Sequence, residues 1–232
     1  MGAVHHAIAP SVYPKLDYDI EKDFVPIALV ANVPQVLVVN PKNIPGDFKA
    51  FMAQVKANPG KLNYGSAGAG TSHHLAGELF KQQTKTFITH IPYKGAGPAL
   101  QDLMAGNVDM VFDGLGSSAG HIKGGRIKAL MVSGNKRNPA FPDVPHAAEL
   151  GLPDYTATTW YGTWAPKGTP ADVQARVVEE LRRAGAAEEL KVAWAANGAE
   201  FPNLVQQQFG SFVSSEIKRW AAVVKAGDIK ID

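Results

Sequence analysis

Short apolar runs alternate with helical apolar stripes along much of this chain, and this alternation constrains the fold more than any other feature. Residues 36–39 form a β-branched run typical of a buried strand. Similar runs predict further strands at residues 62–65, 87–91, 108–112 and 127–132. Between them lie predicted helices, with Asp47 placed to cap one and Pro98 in the first turn of another. Strands and helices in this order predict a parallel, doubly wound α/β sheet.

The last third of the chain has a different composition. Residues 155–165 are aromatic and threonine-rich, which favours extended chain. Thr169 and Pro170 then predict a helix with a threonine N-cap and a proline at its first position. The residues of this helix predicted to face the core are Val173, Val177 and Leu181. A final long helix is predicted from the apolar face between Phe209 and Val224.

These changes in composition place two boundaries, near Pro34 and Asp154. We therefore expect one lobe formed by residues 1–33 together with 155–232, and a second lobe formed by residues 34–154. The chain has 232 residues, enough for two small domains.

Charge and cysteine content narrow the function classes. The net charge is +2 at pH 7, which gives no broad electrostatic footprint for nucleic acid or a membrane surface. The chain has no cysteine, so disulfides, thiolate metal sites and a cysteine nucleophile are excluded. Residues 1–6 have neither the basic start nor the apolar run of a secretory signal, so composition alone favours the cytoplasm.

The glycine-rich segment at residues 66–73 lies between a predicted strand and a predicted helix. The first backbone N–H groups of a helix have no internal partner, and the helix dipole makes that end positive. Glycines allow the backbone to approach a bound group closely. The segment therefore predicts an anion cradle made of neutral groups. Its candidate ligand-binding residues are Ser66, Gly68, Gly70, Thr71, Ser72 and His73.

The segment fits neither common nucleotide motif. A Walker A loop needs a lysine where Thr71 stands, and the dinucleotide pattern needs a glycine where His73 stands. A small carboxylate or oxyanion fits better. The alternative is a tight turn with no ligand, in which Thr71 only caps the helix.

Other polar residues leave several roles open. His73 and His74 are adjacent, so on a helix they diverge by about 100° and cannot readily share one metal ion. Asp113 follows the fourth strand and could be catalytic, could contact a ligand, or could cap the turn at Gly114. Tyr93 ends another strand and could also reach a ligand. No serine nucleophile elbow is present.

At these residues the chain resembles the solute-binding receptors of tripartite tricarboxylate transporters, the Bug family. The match runs over essentially the whole chain, and the many matching blocks in the same order make it specific. The blocks that carry the resemblance are residues 10–16, 23–26, 36–41, 59–66, 70–78, 92–95, 112–113 and 141–145.

The resemblance implies a two-lobed, hinged α/β periplasmic binding protein of the Venus-flytrap type. It implies a monomer without enzymatic activity, cofactor or metal, which delivers a small organic carboxylate to membrane transporter subunits and binds no nucleic acid. Ser66, Gly70, Thr71, Ser72 and His73 would hold the carboxylate, with Tyr93 and Asp113 near the far end of the ligand.

The resemblance also implies that this chain lacks the family's signal peptide and a first segment with a second glycine-rich loop. We therefore expect the chain as given to bind its ligand weakly. Two alternatives remain at this stage: a small hydrolase or isomerase that uses Asp113 and His73, and a ligand-sensing protein that works without a transporter.

Overall fold

The computed structural model describes residues 1–231, which form two compact units with mixed α/β structure. The strands are β1 (Gly2–Ala3), β2 (Phe24–Val39), β3 (Asn63–Ser66), β4 (Thr89–Pro92), β5 (Met110–Gly114), β6 (Lys128–Val132), β7 (Thr158–Pro166) and β8 (Leu204–Val205). The helices are α1 (His5–Val12), α2 (Phe48–Ala57), α3 (Ser72–Thr84), α4 (Ala96–Ala105), α5 (Leu115–Lys123), α6 (Ala171–Ala186), α7 (Glu188–Ala196) and α8 (Gln206–Ala226), with a short 3₁₀ helix at Ala147–Leu150. No helix in this range is long and apolar enough to cross a bilayer.

The chain passes from one unit to the other within β2 and returns near the start of β7. The first unit contains residues 1–33 and the described residues from 159 onward, and the second is Pro34–Thr158. Composition had suggested a return near Asp154. The chain stays with the second unit a little longer because Tyr155 is buried there and donates its hydroxyl to the carbonyl of Ala76, at 3.0 Å.

The sheet of the second unit has the order β6–β2–β5–β3–β4. Strand β3 is parallel to β4 and to β5, as the alternation of strands and helices predicted. Strand β2 is antiparallel to both β5 and β6, so the expectation of a wholly parallel sheet was wrong. An apolar run carries no information about strand direction, which only the tertiary pairing decides.

Aromatic side chains form the core between this sheet and its helices. Phe80 of α3 lies centrally, with ring centroids 5.4 Å from Phe112 of β5 and 6.1 Å from Phe51 of α2. Tyr155 meets the same ring edge-on at 6.2 Å. All four side chains are buried, so α3 is fixed against the sheet along its length.

The sheet of the first unit has the order β1–β7–β2–β8. Helix α8 packs on α1 and brings Glu216 into the core. Its buried carboxylate accepts hydrogen bonds from the indole N–H groups of Trp160 at 2.9 Å and Trp220 at 3.2 Å, and it pairs with Arg219. A buried charge with this many partners is compatible with a stable core.

Helix α6 differs from its prediction in two ways. Pro170 occupies the cap position and the helix begins at Ala171, while the Thr169 hydroxyl donates to the carbonyl of Pro166 instead of capping. Val173 and Val177 are exposed, whereas Val178 packs into the core with Ile27 and Ala28 and Leu181 is half-buried beside them. The helix carries apolar residues on two faces, so spacing alone did not identify the buried one.

Gly77 in α3 provides a test of the packing. A Cβ atom at this position would lie 2.3 Å from Cε2 of the buried Tyr64 ring. We expect Gly77→Ala to lower the free energy of unfolding by about 1–3 kcal/mol because of overpacking, although alanine is the better helix former. Equilibrium urea unfolding followed by circular dichroism measures the change.

The matched control is Gly120→Ala in α5, where an added Cβ meets no atom within 4 Å. We expect this variant to be unchanged or more stable by up to about 1 kcal/mol. Equal stability of the two variants would contradict the packing described for Tyr64.

Candidate functional site

The loop between β3 and α3, residues 67–71, lies at the carboxyl end of β3. In open α/β sheets this is the edge where ligands bind. Gly68 and Gly70 both have left-handed backbone angles, with φ of 136° and 73°. A Cβ on Gly68 would also lie 3.1 Å from the carbonyl oxygen of Tyr93. Both positions therefore require glycine, and the turn brings backbone rather than side chain to the start of α3.

Thr71 is the N-cap of α3. Its Oγ1 accepts a hydrogen bond from the N–H of His74 at 3.4 Å and donates to the carbonyl of Gly68 at 2.7 Å. The capping role that the sequence offered as an alternative is thus the role of this side chain. Because Thr71 uses its hydroxyl within the loop, the ligand donors at this end must come mainly from the backbone.

Backbone donors remain at this helix start. Within residues 1–231 the N–H groups of Ala69 and His73 have no hydrogen-bond partner in the chain. Helix α3 spans residues 72–84, long enough to place its positive dipole end here. Free N–H groups and a helix dipole together favour an anion.

Ser66 holds the loop from the strand side. It is fully buried, its Oγ accepts from the N–H of Gly68 at 3.1 Å, and the same oxygen lies 2.6 Å from Nε2 of His90. His90 comes from β4, whose register places it beside Tyr64. The sequence analysis did not identify His90, because its position depends on which strands pair.

Ser72 begins α3 and is buried. Its Oγ accepts a hydrogen bond from Nε2 of Gln35 at 3.3 Å. Gln35 lies on β2, distant in sequence, and was also missed by the sequence analysis. The only sequence feature that could have identified Gln35 is its position as an isolated glutamine in an apolar strand.

His73 and Asp113 form a buried pair. His73 Nδ1 lies 3.5 Å from Asp113 Oδ1, too far for a good hydrogen bond, and neither atom has another partner within the described residues. The other carboxylate oxygen of Asp113 accepts from the hydroxyls of Ser117 at 2.7 Å and Ser118 at 2.5 Å. Burial lowers the pKa of His73, and the nearby Asp113 only partly opposes this, which favours a neutral imidazole.

Asp113 does not cap the turn at Gly114, which was one of the three roles that the sequence left open. Gly114 is the N-cap residue of α5, with no side-chain cap. The Asp113 carboxylate instead accepts hydrogen bonds from side-chain hydroxyls at the start of α5. Two neighbouring serines supply these donors, a pattern that a search for backbone caps does not consider.

Tyr93 meets the loop through its backbone. Its N–H donates to the carbonyl of Ser66 at 3.1 Å, while its hydroxyl donates to Asp102 at 2.7 Å. Partial burial, together with Asp102, raises the pKa of this phenol to about 12. The structure thus joins Ser66, Gly68, Thr71 and Tyr93 in one bonded loop.

The adjacent histidines His73 and His74 contact different groups at this site. Within residues 1–231 no group of three or more histidines and carboxylates is arranged to hold a metal ion. His73 faces Asp113, whereas His74 faces the loop at Gly70 and the carboxylate of Glu78. The two imidazole rings therefore lie in different environments.

The chain is similar to proteins of known family along almost all of its length. Residues 1–229 match the model described as tripartite tricarboxylate transporter family receptor, TctC. A UPF0065 protein from the tcbD-tcbE intergenic region of Pseudomonas sp. strain P51 is 38% identical over 91% of this chain. Protein BugT of Bordetella pertussis is 36% identical over 97% of it. The chain spans 63% and 69% of the lengths of these two relatives.

Solved structures give the same assignment. A periplasmic transporter is 38% identical, with a TM-score of 0.93 over 100% of this chain and 78% of its own. Rpa4515 of R. palustris, solved with adipate, is 33% identical with a TM-score of 0.91, covering 99% and 78% of the two chains. MatC of Rhodopseudomonas palustris, solved with bound malate, is 32% identical with a TM-score of 0.87, covering 96% and 77%. By its sequence and its fold, this chain belongs to the tripartite tricarboxylate transporter receptor (TctC) family.

Proposed function

We propose that this protein is a periplasmic receptor that captures a small organic carboxylate and presents it to the membrane subunits of a tripartite tricarboxylate-type transporter. In this proposal the protein acts as a monomer and catalyses no reaction. The carboxylate binds at the start of α3, in the loop at residues 67–71. The observation that carries the proposal is the pair of unpartnered backbone N–H groups, on Ala69 and His73, at the positive end of a buried helix.

The similar structures support a carboxylate as the ligand. One was solved with adipate and another with malate, and both are dicarboxylates. The loop in this chain contains no lysine or arginine, so it suits a carboxylate that is held by dipoles rather than by a fixed positive charge.

The same proposal gives a role to each of the candidate residues in and around the loop. Gly68 and Gly70 shape the backbone, and Ser66 and Thr71 keep that shape. Ser72 and His73 begin the helix and lie closest to the ligand carboxylate, while Tyr93 and Asp113 lie near the far end of the ligand. Ligand identity then depends on groups beyond the carboxylate.

The expected affinity of such a site determines which binding assay can detect the ligand. Two hydrogen bonds to a charged oxygen pair contribute about 1.5–3 kcal/mol each, and a helix terminus about 0.3–2 kcal/mol. Association costs at least about 4 kcal/mol. The loop by itself therefore supports binding no tighter than about the millimolar range, which is about −4 kcal/mol. A method that detects weak binding is required.

We expect adipate and malate to cause saturable shifts of the backbone amide resonances of Ala69 and His73 in ¹H–¹⁵N spectra of the 232-residue protein. The neutral diamide of adipic acid has the same length and serves as the matched ligand control. It should cause no shift at these amides, because the helix start selects for negative charge. Equal responses to the diacid and the diamide would refute the proposal.

Gly70 tests whether the loop backbone forms the site. Valine at a φ of 73° is a severe outlier, so Gly70→Val must change the loop. We expect the dissociation constant for adipate to increase at least about tenfold, which corresponds to about 1.4 kcal/mol. Gly120→Val in α5 is the control, because an added Cβ there meets no atom within 4 Å and the backbone of Gly120 is not left-handed. An unchanged affinity in Gly70→Val would show that the ligand binds elsewhere.

The buried His73–Asp113 pair is the one observation that favours an enzyme. A histidine oriented by a carboxylate is an arrangement that general bases use. Asp113→Asn separates the two functions. We expect no hydrolysis of activated esters above the buffer rate in either the parent protein or the variant. Turnover by the parent that Asp113→Asn abolishes would favour the hydrolase or isomerase instead.

A further inference from the structure

We infer that His74 and His90 are positioning residues that hold the proposed carboxylate-binding loop in shape, and that His74 does so only as a neutral imidazole. This inference rests on the proposed function and extends it. It predicts that ligand binding weakens in acid through a group that the ligand does not touch.

The first support is the hydrogen bond between the loop and His74. The backbone N–H of Gly70 donates to Nδ1 of His74 at 3.1 Å. An imidazole nitrogen accepts a hydrogen bond only when it carries no proton. Nδ1 must therefore be the unprotonated nitrogen, and the proton of the neutral ring lies on Nε2, which is 3.9 Å from Oε1 of Glu78.

The second support is that His90 holds the opposite end of the loop. Its Nε2 lies 2.6 Å from Ser66 Oγ, and that oxygen accepts the N–H of Gly68. The two glycines with left-handed backbone angles, Gly68 and Gly70, are thus each fixed through a histidine. One is held directly by His74, and the other through Ser66 by His90.

The third support is that the two rings form one stack. The His74 and His90 centroids are 3.9 Å apart with the planes at 7°, and His90 stacks on Tyr64 at 4.8 Å and 27°. Tyr64 is fully buried and donates its hydroxyl to Glu78 at 2.7 Å. The loop is therefore connected through two imidazoles to a phenol fixed in the core.

The charged and titratable groups around His74 are Glu78 and Lys81 on α3, His90 on β4 and Tyr64 on β3. Burial lowers the pKa of His74; Glu78 opposes this and Lys81 adds to it. Burial, with His74 and Lys81, lowers the pKa of His90 to about 3. Burial, with Glu78, raises the pKa of Tyr64. At neutral pH both rings are therefore uncharged, as the hydrogen bond from Gly70 requires.

The sign of the pH effect follows from the acceptor role. A histidine with a lowered pKa stays neutral at pH 7 and takes up a proton only as the pH falls below its usual range. The protonated ring would present an N–H to the N–H of Gly70, and the loop would lose that contact. Affinity should therefore be full at neutral pH and fall in acid. If the positive charge of His74 acted mainly by attracting the anion, affinity would rise instead.

Two substitutions at His74 separate the acceptor from the ring. In His74→Asn, Oδ1 can stand in the place of Nδ1 and accept from Gly70 without titrating. In His74→Phe, the ring stack is retained but the acceptor is lost. At neutral pH we expect His74→Phe to raise the dissociation constant for adipate about fivefold or more, because a backbone N–H loses its partner. We expect the dissociation constant of His74→Asn for adipate to remain within about threefold of the parent's value, because the hydrogen bond from Gly70 is retained.

The pH profile gives a readout that a merely structural role would not move. As the pH falls from neutral to below the usual titration range of histidine, the parent should lose affinity that His74→Asn keeps, because only the parent has a titrating acceptor. Protonation of adipate itself affects both proteins equally and cancels in this comparison. His5→Asn, in α1 of the first unit, is the control and should follow the parent. Parallel profiles of the parent and His74→Asn would overturn the inference.

A measurement without ligand keeps this inference separate from the proposed function. Long-range ¹H–¹⁵N spectra of the ligand-free protein should show His74 as the Nε2–H tautomer, and hydrogen exchange should show Gly70 N–H protected in the parent and in His74→Asn but not in His74→Phe. If these hold and no carboxylate binds, the proposed function fails while the role of His74 in the loop stands. If His74 is the Nδ1–H tautomer, the inference fails whatever the ligand results.

Discussion

The proposed function depends on the start of α3. A helix has N–H groups in its first turn that its own backbone cannot satisfy, and here that turn lies at the carboxyl end of β3 with a largely buried helix behind it. Thr71 satisfies the N–H of His74, while Ala69 and His73 keep theirs available. The glycine loop, the buried Ser66 and the aromatic core around Phe80 all hold this helix end in position.

The side chains at this helix start, those of Thr71, Ser72 and His73, are polar, and none of them belongs to a lysine or an arginine. Burial lowers the pKa of His73, and the Asp113 carboxylate beside it accepts hydrogen bonds from two serine hydroxyls. An anion at this site would be stabilised by oriented dipoles, which are fixed before the ligand arrives and so need little reorganisation. Dipoles recognise a carboxylate without recognising the rest of the molecule. This is consistent with a family whose members were solved with ligands as different as adipate and malate.

Burial lowers the pKa values of His73, His74 and His90. His74 and His90 are stacked ring on ring at 3.9 Å, an arrangement that two charged imidazoles could not keep because like charges at this distance repel. Their neutral state is thus a condition of the fold as well as of the loop. The adjacent pair His73–His74 would suggest metal binding from composition, yet each ring has a different polar neighbour, Asp113 for one and Gly70 for the other.

The sequence by itself determined the alternation of strands and helices and the position of the glycine loop, because these depend on residues near each other in the chain. The cap at Asp47 and the run at residues 36–39 identify their elements without tertiary information. Tertiary structure decided the antiparallel direction of β2, the burial of Val178 rather than Val177, and the arrival of Gln35 and His90 at the loop. These depend on which strands pair and which helix face meets the core, and hydrophobic patterns carry no information about either.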